Sequence, residues 1–298
     1  MTPIITNRIQ VGPPLLFDGG LGSRLIQMGL PAGVAPEVWV LQHPQRIEQV
    51  HREYAEAGAE VITTCTFGAN RLRLQKQGWQ DQIAEINRQA VALVRQSIGE
   101  PTWIAGDLGP TGEFFAPLGT LTPAAASQIY REQAAFLAAA GIDFLLLETF
   151  YDLQEALICI HACQEVAPQL PVAATLTFDQ KTRGFFTVMG NPLVTSLQEL
   201  AEAGAFLVGA NCTLEANGML DLARVATAEI RTPLLVQANA GNPQITPEGV
   251  VYPQNPEEFC RCAAEMLDLG VRAIGGCCGT DERHIRALKE LIQTRFPR

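Results

Sequence analysis

No segment of the 298-residue sequence is strongly basic: 21 lysines and arginines face 31 acidic residues, for a formal net charge of −10. That balance argues against nucleic acid and anionic membrane surfaces as partners. Long apolar runs are missing too, since nothing approaches the ~18–20 residues that a bilayer-spanning helix needs. The N-terminal stretch lacks the basic start, apolar run and small-residue cleavage site of a secretory signal, so a cytoplasmic location is expected. Eight cysteines (65, 159, 163, 212, 260, 262, 277 and 278) are too few in a chain this long for a disulfide scaffold. Histidine is limited to four residues. His51 and His161 fall inside predicted helices, His284 opens one, and these residues and His43 are read as packed or solvated. No Gly-x-Gly-x-x-Gly motif follows the first predicted strand, so the usual sign of dinucleotide binding is absent. No linker-like segment divides the chain, and residues 1–298 read as a single domain with an irregular start over about residues 1–14.

What is present is a repeat. With 47% hydrophobic and 17% charged residues, the chain can bury a large core. An amphipathic helix ending in glycine, then an apolar strand, then a polar or cysteine-bearing segment recurs at Glu56 to Thr64, Ala139 to Glu148, Glu202 to Cys212 and Asp268 to Cys277. The glycine suits the left-handed residue that closes a helix. Consecutive apolar positions after it suit a parallel strand buried on both faces. Further strands are expected at 102–107, 172–177 and 234–237, and helices at about 81–98, 123–140, 152–166, 190–203, 217–228, 256–269 and 281–293. Roughly eight strand–helix units imply a (β/α)8 TIM-type barrel in the α/β class, with a doubly wound open sheet as the alternative. In a barrel, Asp18, Thr64, Asp107, Glu148, Cys212, Asn239 and Cys277 all lie at or just beyond C-terminal strand ends, on the face where such barrels build their sites.

The Gly275-Gly276-Cys277-Cys278-Gly279-Thr280 segment needs a chemical explanation. A disulfide between neighbours is strained, because their Cα atoms sit only ~3.8 Å apart. Two thiolates converging on a soft cation fit better, and zinc takes cysteine sulfur in a tetrahedral shell. Cys212 is the candidate third ligand, brought from strand six to meet strand eight. A plainer reading, two small buried residues at a strand end, stays open. Cys159, Cys163, Cys260 and Cys262 fall in predicted helices and are read as fillers. Cys65 lies near the mouth without any argument for a ligand role.

Five segments together resemble the homocysteine S-methyltransferase family: Phe17 to Gly22 (FDGGLG), Thr63 to Asn70 (TTCTFGAN), Gly106 to Glu113 (GDLGPTGE), Gly209 to Cys212 and Gly275 to Thr280. The resemblance runs essentially end to end. Within the family, Val236 to Pro243 and Val251 to Pro253 look most similar to the homocysteine-binding module of cobalamin-dependent methionine synthase. Its folate, cobalamin and reactivation modules have no counterpart in this sequence. The resemblance implies one zinc ion per chain on Cys212, Cys277 and Cys278, with Asn239 in the fourth position while substrate is absent. It implies that Asp18 and Glu148 hold the homocysteine ammonium, and that the backbone at Gly19 and Gly20, with Thr64, holds its carboxylate. Asp107 and Asn211 would support the site by hydrogen bonding. Without the family match, Asp18 also reads as a turn residue before two glycines, and Arg24 serves as well as a ligand for partnering Glu148. The implied reaction moves a methyl group to the homocysteine thiolate to give methionine, from methylcobalamin on a separate corrinoid protein. S-methylmethionine or S-adenosylmethionine is the alternative donor, and a non-enzymatic zinc- or thiol-binding barrel is the alternative class. Betaine enzymes of the family carry a tyrosine after their Thr-Phe pair, in a cage for the quaternary ammonium; Gly68 stands there instead.

Overall fold

The computed structural model describes residues 5–99, 101–246 and 249–297. Eight parallel strands form one sheet: β1 (Leu15–Leu16), β2 (Val61–Thr63), β3 (Trp103–Leu108), β4 (Phe144–Phe150), β5 (Val172–Leu176), β6 (Leu207–Glu215), β7 (Leu234–Asn239) and β8 (Ala273–Gly276). Each pairs in parallel with its sequence neighbours, and β8 returns to β1 through Leu15–Ala273 and Leu16–Ile274. A parallel bridge from Phe17 to Val61 and the Glu60 N–H donating to Leu16 O at 2.7 Å join β1 to β2 and close the ring. The (β/α)8 barrel expected from the repeat is the architecture, and the open doubly wound sheet is not.

Eight helices follow the strands in turn: α1 (Pro44–Glu56), α2 (Ile83–Ser97), α3 (Pro123–Ala140), α4 (Leu153–Val166), α5 (Leu193–Glu202), α6 (Ala216–Glu229), α7 (Pro256–Asp268) and α8 (Glu282–Arg295). Their ends follow the local chemistry. The Thr122 hydroxyl accepts from Ala125 N ahead of Pro123, and Asn255 and Glu258 form a reciprocal capping box around Pro256. The four repeat glycines, 58, 141, 204 and 270, all adopt left-handed φ between 87° and 102°. His284 also joins a capping box, with Asp281.

Two apolar layers result. One fills the space between strands and helices. The other lies inside the ring and contains Phe17, Trp103, Phe144, Leu146, Leu207 and Leu235; Phe17 and Phe206 both pack edge-on against Phe144. Ile5 and Ile9 belong to this inner cluster. They come from a helix over Ile5–Gln10, which corrects the irregular start expected for residues 1–14; residues 1–4 lie outside the described residues. The segment is too short to show helical periodicity, but its two isoleucines four apart bury one face against the inner layer. The sequence reading also passed over two hairpins beyond the C-terminal strand ends, Asp179–Lys181 with Gly184–Phe186 after β5 and Gln244–Thr246 with Gly249–Val251 after β7.

Candidate active site

Side chains alternate along a strand, so inward rows continue upward past the apolar layer. Trp103 and Ala105 lead to Asp107, Phe144 and Leu146 to Glu148, and Leu207 and Gly209 to Asn211. Leu235 leads to Gln237 and Asn239, and Ala273 and Gly275 to Cys277. The polar floor of the barrel mouth is the next register of the same pattern that builds the core.

Two strands break register where the site begins. β4 shifts between Leu147 and Phe150 against β5, and β6 shifts between Asn211 and Glu215 against β7. Such bulges re-aim side chains near sites. Thr149, Cys212 and Thr213 have φ of 61°, 58° and 57°, and among the described residues they are the non-glycine residues with positive φ. Left-handed threonine and cysteine cost energy that the surroundings must offset. Asn211 supplies much of that compensation: its Nδ2 donates to Thr149 Oγ1 at 2.7 Å, and its Oδ1 accepts from Thr149 N and Thr175 Oγ1, both at 2.8 Å.

The turn at Cys212 brings its sulfur to the Cys277–Cys278 pair, and all three Sγ atoms lie within 4.8 Å of one another. The pair is held from several sides. Cys277 N donates to Ala238 O, Ala240 N to Cys278 O, and the Thr280 hydroxyl to Cys277 O. Gly20 packs so closely that a Cβ there would lie 2.4 Å from Cys277 O. Hydrogen bonds from Cys277 and Cys278 pull the Cys212 thiol down to about 3. Its sulfur in turn drives Cys277 well up and Cys278 up to about 12. One thiolate is stable here without a metal, whereas three would repel each other unless a cation sat between them. Asn239 bonds to Cys212 through its side chain, while its Oδ1 is buried without a partner. Three soft donors converging beside an orphaned carbonyl oxygen fit a zinc ion.

Carboxylates face the sulfurs across the mouth. Asp18 is 2% exposed, and its Oδ2 accepts from Thr63 N at 2.8 Å and Thr63 Oγ1 at 2.9 Å. Burial pushes it up to about 7, against the pull of those bonds. Glu148 is enclosed by protein, its open side facing the cavity; burial first, then the charges of Asp18 and Cys212, push it up to about 8. Arg24 does not serve either group, because it pairs with Glu53 and Glu282. Gly19, Gly20 and Thr64 line the same cavity. Both Thr64 donors are engaged: its N–H goes to Ala105 O and its hydroxyl to Thr66, whose own proton goes to Asp107 O.

The three cysteines, Asp18, Glu148, Gly19, Gly20 and Thr64 line one cavity of about 700 Å³. It continues past Phe67 and Gly68, the place of the betaine enzymes' tyrosine, to Glu37, Arg73 and Lys76, which the sequence reading did not single out. Glu37 is buried and accepts the Gly68 N–H at 2.5 Å. Arg73 lies over the Phe67 ring at 5.1 Å and donates to Pro110 O at 2.8 Å. A Cβ at Gly68 would approach Glu37 Oε1 to 3.0 Å and Arg73 Cδ to 3.1 Å, so a tyrosine there would have to displace both. Gln237, on the inward row of β7, and Tyr252, bonded to Cys278, were also missed. The alternation of β7 pointed to Gln237, whereas Tyr252 stood within the Val251 to Pro253 segment of the resemblance without a site role. Cys65 lines the cavity and is buried, its thiol pushed well up by burial.

Known proteins resemble this sequence over nearly its whole length. Methionine synthase of Mycobacterium tuberculosis is 29% identical over 306 residues, covering 97% of this chain and 25% of that protein. The chain therefore spans about a quarter of the length of that relative. Betaine–homocysteine S-methyltransferase 1 of Mus musculus is 29% identical over 311 residues, covering 96% of this chain and 74% of that protein. The metallated form of the homocysteine methyltransferase MmuM from Escherichia coli shares the fold, with a TM-score of 0.79, 21% identity and 95% and 98% coverage of the two chains. The family model for homocysteine S-methyltransferase matches residues 15–292, and the chain belongs to that family.

Proposed function

We propose that this barrel transfers a methyl group to the sulfur of homocysteine, giving methionine, at one zinc ion per chain held by Cys212, Cys277 and Cys278. The observation that carries this reading is the three-sulfur cluster facing Asp18 and Glu148 across one cavity. Asn239 Oδ1, buried and unpartnered, suits the fourth ligand position before substrate arrives. When bound, zinc supplies the Lewis acidity that lowers the pKa of a substrate thiol toward neutrality.

The chain itself positions the amino acid. Asp18 and Glu148, lacking an internal cation, take the ammonium, which supplies the countercharge that a buried carboxylate requires. The backbone at Gly19 and Gly20 takes the carboxylate. For Thr64 to join them, its hydroxyl must exchange the bond to Thr66. In the transfer, a sulfur lone pair forms the new S–CH3 bond while the donor–CH3 bond breaks, its electron pair leaving with the donor. Methionine, a neutral thioether, is the weaker ligand and departs.

For the donor we propose methylcobalamin on a separate corrinoid protein docking at the open face. The similarity to methionine synthase over 97% of this chain supports it. The crowding at Gly68, with Arg73 already over the Phe67 face, counts against a quaternary ammonium cage. A second reading has its own observation: the cavity extends past the homocysteine end to Glu37, Arg73 and Lys76, leaving room for a small donor such as S-methylmethionine. Methionine formation by zinc-loaded protein, assayed in parallel with the two donors, decides. Turnover with methylcobalamin alone supports the corrinoid donor, and turnover with S-methylmethionine overturns it. Among the described residues no helix is long and apolar enough to cross a membrane. The need for three reduced cysteines supports a cytoplasmic setting.

A further inference from the structure

The resemblance gave Asp107 a supporting hydrogen-bonding role, yet its Oδ1 makes no such bond and its surroundings are unusual. It ends the inward row Trp103–Ala105–Asp107 of β3, is 4% exposed, and lines the same cavity as Asp18 and Glu148. Its backbone is fully engaged, N–H to Thr64 Oγ1 at 3.0 Å and C=O from Thr66 Oγ1 at 2.7 Å, so the residue is held in place. Its side chain is not engaged: Oδ1 is sealed from solvent and has no hydrogen-bond partner. Asp18, Glu37 and Glu148 surround it with like charge, and its carboxyl is driven well up, chiefly by burial and then by those neighbours. The cations of the cavity are committed elsewhere, Arg73 to Pro110 O and the Phe67 ring, Lys76 to Glu113. A buried carboxylate without a partner is costly and persists where a ligand provides one.

We infer that Asp107 is a third carboxylate for the substrate ammonium, completing with Asp18 and Glu148 a set that matches its three N–H donors. The three come from β1, β3 and β4, on one side of the mouth, so the amino acid head sits there while its sulfur reaches the cysteines of β6 and β8. This assignment rests on the homocysteine reading above. It also makes the pocket selective for an α-amino thiol over a thiol with the same chain and no amine.

The test measures binding of homocysteine and of 4-mercaptobutyrate, which lacks the amine, to zinc-loaded wild type and Asp107→Asn by calorimetry, with Asp107→Ser as a second variant. Loss of one charged hydrogen bond should weaken homocysteine about 10- to 100-fold, leaving 4-mercaptobutyrate within about twofold. Unchanged homocysteine affinity, or equal weakening of the two thiols, would overturn the assignment. Wild type that binds homocysteine no better than 4-mercaptobutyrate would overturn the amino-acid reading itself, a result distinct from a failure at Asp107 alone.

Discussion

Cys212 shows how much chemistry depends on single residues. Its left-handed backbone, φ 58°, turns the sulfur toward Cys277 and Cys278, and a ligand lost from a three-sulfur set leaves no substitute within reach. Replacing Cys212, Cys277 or Cys278 with alanine should abolish zinc binding and methyl transfer, while circular dichroism remains that of a folded barrel. Unfolding of all three variants would mark the metal as structural. The acidic residues yield a pH prediction of definite sign. Burial holds Asp18 near 7 and Glu148 near 8, against roughly 4 for unfolded carboxylates. The ligand-free folded state therefore binds the extra protons, so this stability is fully present below about pH 4 and is lost as pH rises through 7 to 8. The ligand-free protein should melt lower at pH 8.5 than at pH 5.5, and Asp18→Asn or Glu148→Gln should flatten that slope; an unaltered slope in both variants would contradict the assignment. Asp18 and the three cysteines were legible in the sequence because short motifs carry them, and Glu148 because it ends an apolar strand of the repeat. Glu37 and Arg73 were not, because each reaches the cavity from a short helix whose path only tertiary packing sets.

At the scale of elements, the strand ends matter more than the strands. The bulges of β4 and β6 and the three positive-φ residues place Glu148 and Cys212, and Asn211 of β6 ties in β4 through Thr149 and β5 through Thr175. Asn211→Ala removes three such bonds at a fully buried position. It should cost about 2–4 kcal/mol of stability, leaving buried partners unsatisfied, and should weaken zinc as the Cys212 turn relaxes. Thermal melts and zinc competition titrations check this; loss of stability with unchanged zinc affinity would show that the turn does not depend on Asn211. The helices and most strands could be read from capping residues, closing glycines and apolar runs. The two hairpins could not, because strands of three residues offer too little alternation to distinguish them from loop.

The whole molecule separates stability from chemistry along the barrel axis. Ile5 and Ile9 join the inner apolar layer, in the cluster with Leu15, Trp103 and Phe144 at the starts of their strands, while the polar registers occupy the other end. Ile9→Ala should cost about 2–4 kcal/mol with zinc and homocysteine affinity unchanged; a parallel loss of zinc affinity would show that the two ends are coupled. The architecture was readable from eight repeating units, but the N-terminal helix was hidden by its brevity. The proposed chemistry turns on the cysteine cluster binding a zinc ion that accepts the sulfur of homocysteine. Zinc-edge X-ray absorption of the zinc-loaded protein tests it most directly, before and after homocysteine is added. The account predicts three sulfur neighbours and one lighter atom rising to four sulfurs, with a proton released. A sulfur count unchanged by homocysteine would contradict it and leave the barrel a closed metal-binding protein.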